Sequence, residues 1–454
     1  MPPPTPRDIR PETGWRHSLS LRMNDLVTLW IEWLRPSIGL ATVQWSLLLA
    51  AAALIGYLLH RYFGLPKVMG YAIAGSVAGF AGFGGAAVWP LRGNGLFLLE
   101  LGIAVVLFEA GGRVPLRWFR YNPMVLVQSV AESALSYAAV YAALHAVGQP
   151  DAVCAPLALI AMAASPAVLG RVAADAGASG PVTDRAMVLA TLSTLYALAI
   201  GTAQAELQTR EELRLLETVG PAALVLGLSV AVGAVLALAL RLALRVMSPA
   251  SENTSILLLA LIAAAAGIAS HLGGSAPLAA LLGGMLLKQF APRPWAWPRQ
   301  LGTAASLLTM LMFVLVSVIT AQADWTASVA LLVLTLVSAR GLAKIAGVAL
   351  GKVGSGVGWR QAFWIGCALS PMSSIALLIA SQFALVPGHA ARQMTGIALP
   401  TILAMELLGA VIATVALHRA REASRPWLPR RTGQPQAPTE PRRAPADAGD
   451  SHGA

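Results

Sequence analysis

The chain has 454 residues, 57% of them hydrophobic and only 12% charged, with a mean hydropathy of +0.68. A surface of that make-up needs lipid as its solvent, which excludes a soluble catalytic domain. The formal charge of +11 comes from Lys and Arg spread through short loops and the last segment instead of one basic face, so nucleic acid is excluded as a partner.

At the N-terminus, MPPPTPRDIRPETGWRHSLSLR lacks a compact apolar stretch with a small-residue cleavage site and does not read as a removable signal. Met23 stands beside Met1 as a second candidate start. MNDLVTLWIEWLRP then reads as an interfacial segment with Trp30 and Trp33 at headgroup level, so residues 1–42 form an N-terminal extension.

A membrane crossing needs about 20 apolar residues. On that measure the chain crosses at Val43–Leu59, Val68–Phe83, Leu96–Ala110, Met124–Val147, Ala152–Val172, Ala186–Ala205 and Val219–Leu240. The second half continues with Ser255–Leu272, Pro277–Leu287, Ala304–Ala321, Ala327–Leu350, Trp364–Phe383 and Thr395–Leu417. The fold class is therefore all-α, a polytopic bundle of about thirteen transmembrane helices over residues 43–418. The Gly-rich Pro277 run is the shortest, and the odd count depends on it.

Loop charge alternates. Basic loops carry Arg61 and Lys67; Arg113, Arg117 and Arg120; Arg171 and Arg185; Arg241 and Arg245; Lys288, Arg293 and Arg299; and Lys352 and Arg360. The intervening loops hold few Lys or Arg, so by the positive-inside rule they face outward and the C-terminus is cytoplasmic. Arg7, Arg10, Arg16 and Arg22 break the pattern, and a start at Met23 would remove the conflict. Residues 419–454, rich in Pro, Ala and Arg, bury too little apolar surface to fold and read as a disordered cytoplasmic tail.

Two crossings carry a Ser-Pro pair in mid-span, Ser165-Pro166 in the fifth and Ser370-Pro371-Met372-Ser373-Ser374 in the twelfth. Proline removes a backbone donor and breaks the helical ladder. In lipid the freed groups are tolerable only inside protein or around a watery cavity, and broken helices at matching places in two halves mark the substrate site of inverted-repeat transporters. The plain alternative is a pair of ordinary proline kinks.

An ionisable group in mid-bilayer costs at least ~2.5–3.5 kcal/mol, so it should face the bundle interior and find a partner. The candidates are Glu132 in the fourth crossing, Arg340 and Lys344 four apart in the eleventh, and Glu406 in the last. A buried lysine beside a carboxylate suits proton-coupled exchange. The alternative makes Arg340 and Lys344 snorkelling residues, with Glu132 and Glu406 as structural hydrogen-bonders.

No HExxH, GxSxG, Walker or GxGxxG arrangement stands in a fitting context, so the chain does not read as an enzyme. The 7 histidines lack ligand spacing, and Cys154 and Cys367 lie in apolar runs, so no metal site and no cofactor is expected.

LHRYFGLPKVMGYAIAGSVAGF, LLELGIAVVLFEAGG, SPAVLGRVAADAG and APLAALLGGMLLKQF together resemble the monovalent cation:proton antiporter-2 family, sodium/hydrogen exchanger-like proteins of the Kef and NapA type. The likeness runs from about Trp45 to Leu417. It implies inverted repeats of the NhaA/NapA-like kind, with a dimer-forming panel and a core in which two unwound helices cross near the midplane. It also places Thr194 and Leu195 where family members carry an acidic ion-binding pair in the sixth crossing, so the usual carboxylate is missing. Lys344, and less directly Arg340, match the basic residue many members keep near the site.

On this reading the pocket is lined by Ser165, Pro166, Ser193, Thr194, Ser370, Pro371, Ser373 and Ser374, with Lys344, Arg340, Glu132 and Glu406 as charge partners. The expected function is a secondary monovalent cation (Na+ or K+):proton antiporter, a homodimer in a bacterial-type inner membrane, its partners being the cation, protons and lipid. Either Glu132 or Glu406 would then replace the lost carboxylate. The alternatives are a transport-inactive sensor or partner protein, or a carrier of an anion or organic solute drawn by Lys344 beside half-helix N-termini.

Overall fold

A computed structural model describes residues 41–83, 93–114, 116–209, 219–248, 251–290, 299–352, 355–372 and 374–424. The N-terminal extension up to residue 40, Ser373 and the tail beyond Ser424 lie outside the described residues. Regular structure among those described is helical, with one isolated antiparallel bridge between Ala178 and Ala423.

In chain order the helices are α1 (Ala41–Phe63), α2 (Lys67–Phe80), α3 (Gly93–Gly112), α4 (Leu116–Tyr121), α5 (Met124–Ala146), α6 (Asp151–Met162), α7 (Pro166–Ala176) and α8 (Pro181–Thr209). They continue as α9 (Val219–Val246), α10 (Glu252–His271), α11 (Ala276–Phe290), α12 (Arg299–Ala321), α13 (Ala327–Leu350), α14 (Trp359–Ala368), α15 (Ser374–Ala384) and α16 (His389–Arg419). Seven stretches of the described residues are long and apolar enough to cross a membrane, among them Asp151–Ala176, which runs through the first Ser-Pro break. Ala276–Phe290, Ser306–Ala321 and Ser374–Ala384 are shorter apolar helices. The protein is a multi-pass membrane protein.

The helices wear their polarity inside out. The buried stripe of α5 is Gln128, Ser129, Glu132, Ser133 and Ser136, at helical spacing, while Leu126, Val127 and Val130 are exposed. The stripe of α13 runs Val333, Leu336, Arg340, Lys344 and Gly347, and Leu331, Leu334 and Leu342 lie exposed. Lipid solvates the apolar face, so the polar face is what must be enclosed.

The largest buried cluster draws on α5, α6, α7, α8, α13, α14, α15 and α16 around both Ser-Pro breaks and takes in residues of α2, α3, α11 and α12. Two smaller clusters flank it, one of α3 with α9, α10 and α11, the other of α1 and α2 with α12. Small residues let the helices close up, as is usual in membranes where lipid offers no hydrophobic drive between them. A Cβ at Gly351 would fall 2.7 Å from Gln128 Cα, which holds α13 tight against α5. A Cβ at Gly409 would fall 2.7 Å from Pro371 Cα, which seats α16 directly on the second break.

Beyond α16 the chain turns back onto the α7–α8 connection. The Glu422 carboxylate accepts from Val182 N and Thr183 N, both at 2.7 Å, and from Thr183 Oγ1 at 2.6 Å. It thereby caps the first turn of α8, whose amides have no helical partner. Ser424 Oγ donates to Gly177 O at 2.8 Å, and Gly177, at φ +59°, ends α7 in the left-handed conformation that glycine adopts without strain.

Because Gly409 abuts backbone and not a flexible side chain, Gly409→Val should lower the thermal midpoint of the detergent-purified protein, with a cost of about 1–3 kcal/mol for overpacking. Gly409→Ala should fall between wild type and Val. Equal midpoints for all three would contradict this packing.

Candidate functional site

Helix α6 stops at Met162 and the chain restarts as α7 at Pro166; α14 stops at Ala368 and the chain restarts as α15 at Ser374. Pro166 occupies the first position of α7, where its missing N–H costs nothing, and the Ser165 hydroxyl caps that helix by accepting from Val168 N at 3.3 Å. The two breaks meet. Ser165 N donates to Pro371 O at 2.9 Å, a backbone bond between segments that are remote in sequence.

A helix end leaves its last carbonyls without partners, and here two such ends lie buried together. Arg340 answers both. Its Nε donates to Ala161 O at 2.8 Å and its Nη2 to Ala163 O at 2.9 Å, on the α6 side. Its Nη1 donates to Ser370 O at 2.6 Å, and Nη2 also reaches Leu369 O at 3.3 Å, on the α14 side. The intervening Met162 O takes Lys344 Nζ at 2.6 Å, and Ala164 O takes Thr194 Oγ1 at 2.6 Å. The four carbonyls from Ala161 to Ala164 are thus each satisfied by a side chain from α13 or α8.

Lys344 also pairs with Glu132 across the α5–α13 seam. Glu132 accepts from Ser133 Oγ at 3.2 Å and from Ser136 Oγ at 3.4 Å as well. Arg340, Lys344 and Glu132 are all fully buried, so neither basic residue snorkels to a water layer. Both cations complement the negative, carbonyl ends of α6 and α14. The expectation that Lys344 stands beside half-helix N-termini, ready for an anion, is corrected: it stands at C-terminal ends, and its charge is engaged there.

Of the residues expected to line the pocket, Ser165, Pro166, Thr194, Ser370 and Pro371 come together at the crossing, with Arg340, Lys344 and Glu132 behind them. The hydroxyl of Ser193 turns to its own helix, donating to Ala190 O at 3.1 Å. Ser374 is buried with no partner for its hydroxyl, and Ser373 lies outside the described residues. Glu406 lies apart from the Arg340 and Lys344 network. It accepts from Ser317 Oγ on α12 at 2.9 Å.

Sequence reasoning missed several participants. Gln128 Nε2 donates to Val348 O at 2.8 Å, bridging α5 and α13, and Ser129 meets Tyr196 at 2.9 Å. Ser317, one hydroxyl in an apolar run, carries no local signal of its bond to Glu406. Arg171, read only as a loop charge, reaches Ser306 Oγ at 3.0 Å and Thr309 Oγ1 at 3.2 Å, tying α7 to α12.

Two pockets lie along α7 and the α7–α8 connection. A cavity of about 940 Å³ is lined by Arg113, Ser179, Thr183, Asp184, Arg185 and Gln361, among others. It shares Arg113, Ala174 and Met187 with a pocket of about 60 Å³ whose wall includes Pro166 and Ala167 at the first break.

Residues 49–418 match the family model described as sodium/hydrogen exchanger, transmembrane. Among solved structures the chain is similar to the sodium proton antiporter MjNhaP1 from Methanocaldococcus jannaschii at pH 8, with a TM-score of 0.64 and 14% identity, over 86% of this chain and 100% of that one. A second structure of that antiporter, from an electron-microscopy map, gives a TM-score of 0.61 at 14% identity over 85% of this chain and 96% of that one. At such identity the likeness is one of fold. No curated protein matches the sequence.

The buried pair sets up a double-mutant test. Lys344→Met strands Glu132 as an unpaired buried charge and should cost about 3–5 kcal/mol, read as a lower thermal midpoint. Glu132→Gln on top of it should restore part of that loss. A double variant no more stable than Lys344→Met would show that the two residues do not depend on each other.

Proposed function

We propose that this chain, which belongs to the sodium/hydrogen exchanger family, is a secondary active transporter that exchanges a monovalent cation, Na+ or K+, for protons by alternating access. The family is one of transporters, so enzyme readings have no place here. The observation that carries the proposal is the meeting of two broken helices, bonded to each other through Ser165 and Pro371, with pockets along α7 and the α7–α8 connection on one side. Broken backbone at membrane depth needs protein partners or a wet cavity, and here Arg340, Lys344 and Thr194 supply the partners.

The finer reading rests on loop charge and resemblance. The cavity and the described C-terminal residues share the α7–α8 connection, Gly177 and Thr183 belonging to both. With the C-terminus cytoplasmic, the cavity is an inward-facing vestibule. Exchange then requires the cluster holding the breaks to move against the flanking clusters until the opposite side opens, as the panel-and-core resemblance implies. The working unit is a homodimer in a bacterial-type inner membrane.

The test is reconstitution of the purified chain into liposomes carrying an inward acid gradient reported by a quenched amine dye. Addition of NaCl or KCl outside should dissipate the gradient and restore fluorescence, while choline chloride should not. No dequenching with Li+, Na+ or K+ across the pH range in which the gradient holds would overturn the proposal.

A further inference from the structure

A cation that trades places with a proton needs a carboxylate able to exist with either, and the crossing itself does not offer one. Glu132, its nearest carboxylate, is engaged by Lys344 and by two serine hydroxyls. Arg340 adds a fixed positive charge whose donors are committed to backbone carbonyls. A second cation brought into that arrangement meets repulsion with no anion left to offset it.

Glu406 is different in kind. It is 3% exposed, and its Oε2 accepts from Ser317 Oγ, itself fully buried. Its Oε1 is buried and has no hydrogen-bond partner. A carboxylate in this position cannot persist ionised with a bare oxygen; it must carry a proton or hold a cation. Three residues further along α16, Gly409 rests on Pro371, so Glu406 lies about 4.5 Å along the helix axis from the level of the second break. Ser317 faces α2 as well, since a Cβ at Gly75 would fall 2.8 Å from its Cβ. The carboxylate therefore sits where α16 meets α12, beside α2.

Charged groups on the elements packed against α16 have other partners. Arg340 and Lys344 of α13 are spent at the crossing; Arg171 of α7 binds Ser306 and Thr309, and its Asp175 takes Lys67 of α2 at 3.7 Å. Asp151 of α6 takes Tyr141 and His145, and Arg360 of α14 is exposed at its outer end. Tyr71 of α2, Cys154 of α6, Cys367 of α14 and the terminal His389, Arg392, His418 and Arg419 of α16 itself do not bond to Glu406, whose partner is Ser317, and neither α12, within its described side chains, nor α15 carries an ionisable group.

We infer that Glu406, positioned by Ser317, is the carboxylate at which a monovalent cation and a proton compete in this chain, in place of the acidic pair expected on the sixth crossing. The step balances as protonated Glu406 plus a cation giving the cation carboxylate plus a released proton. The inference rests on the antiport reading but is tested apart from it.

The test is proton release from purified, detergent-solubilised protein in weak buffer on addition of LiCl, NaCl or KCl, with choline chloride as blank. Wild type should release roughly one proton per chain, as displacement from a single carboxyl requires, and Glu406→Gln should release none. Ser317→Ala should need a several-fold higher cation concentration for half-release, and Ser317→Thr should restore it. No release from wild type, equal release from Glu406→Gln, or no change in Ser317→Ala would each overturn the inference. Should Glu406→Gln fail to purify in a single dispersed form, the two Ser317 variants decide. Release without liposome exchange would defeat the antiport reading and leave the site standing; exchange with unchanged release in Glu406→Gln would do the reverse.

Discussion

The contact on which the rest of the site depends is the fan of hydrogen bonds from Arg340 into the carbonyl ends of α6 and α14. Two helices interrupted inside a membrane leave acceptors that lipid cannot satisfy, and two facing carbonyl ends repel each other. One planar, permanently charged side chain removes both difficulties. Its fork reaches both breaks at once, which the single ammonium of a lysine cannot do. Helix α13 thereby becomes the post on which both breaks hang, and its tight glycine seam with α5 fixes the post in turn.

Charge then distributes itself by what each group has left to give. Lys344 and Glu132 cancel, Arg340 does not, and the neighbourhood of the crossing carries net positive charge. That arrangement separates the two tasks often imagined at one spot. The crossing holds the backbone together, while the Glu406 carboxylate stands about a turn away, against Ser317 of α12. Arg171 ties α7 to α12, and Lys67 with Asp175 ties α2 to α7, each through polar contacts.

Much of the fold was legible because membrane helices announce themselves by length and apolarity, and because Ser-Pro in mid-span has a direct backbone consequence. Both breaks fall where Pro166 and Pro371 put them, and Arg340 and Lys344, four apart, do share one inward stripe. Partnership was not legible. Nothing local in the sequence joins Glu132 to Lys344 or Glu406 to Ser317, because such pairs are made by packing between distant segments. Hydroxyl partners were not legible either, since a helical hydroxyl can donate to its own backbone, as Ser193 does. The direction of the half-helices was the subtlest point: periodicity shows that a lysine is buried but not which end of a broken helix it will meet.

The strap formed by residues 420–424 has a mechanical consequence. It fastens the chain beyond the last crossing to α8 as well as to its own helix. Thr194, which holds the first break through Ala164 O, lies on that same α8. The chain just beyond α16 is thus tied to the helix whose Thr194 touches the first break, so a displacement of residues 420–424 bears on α8 as well as on α16.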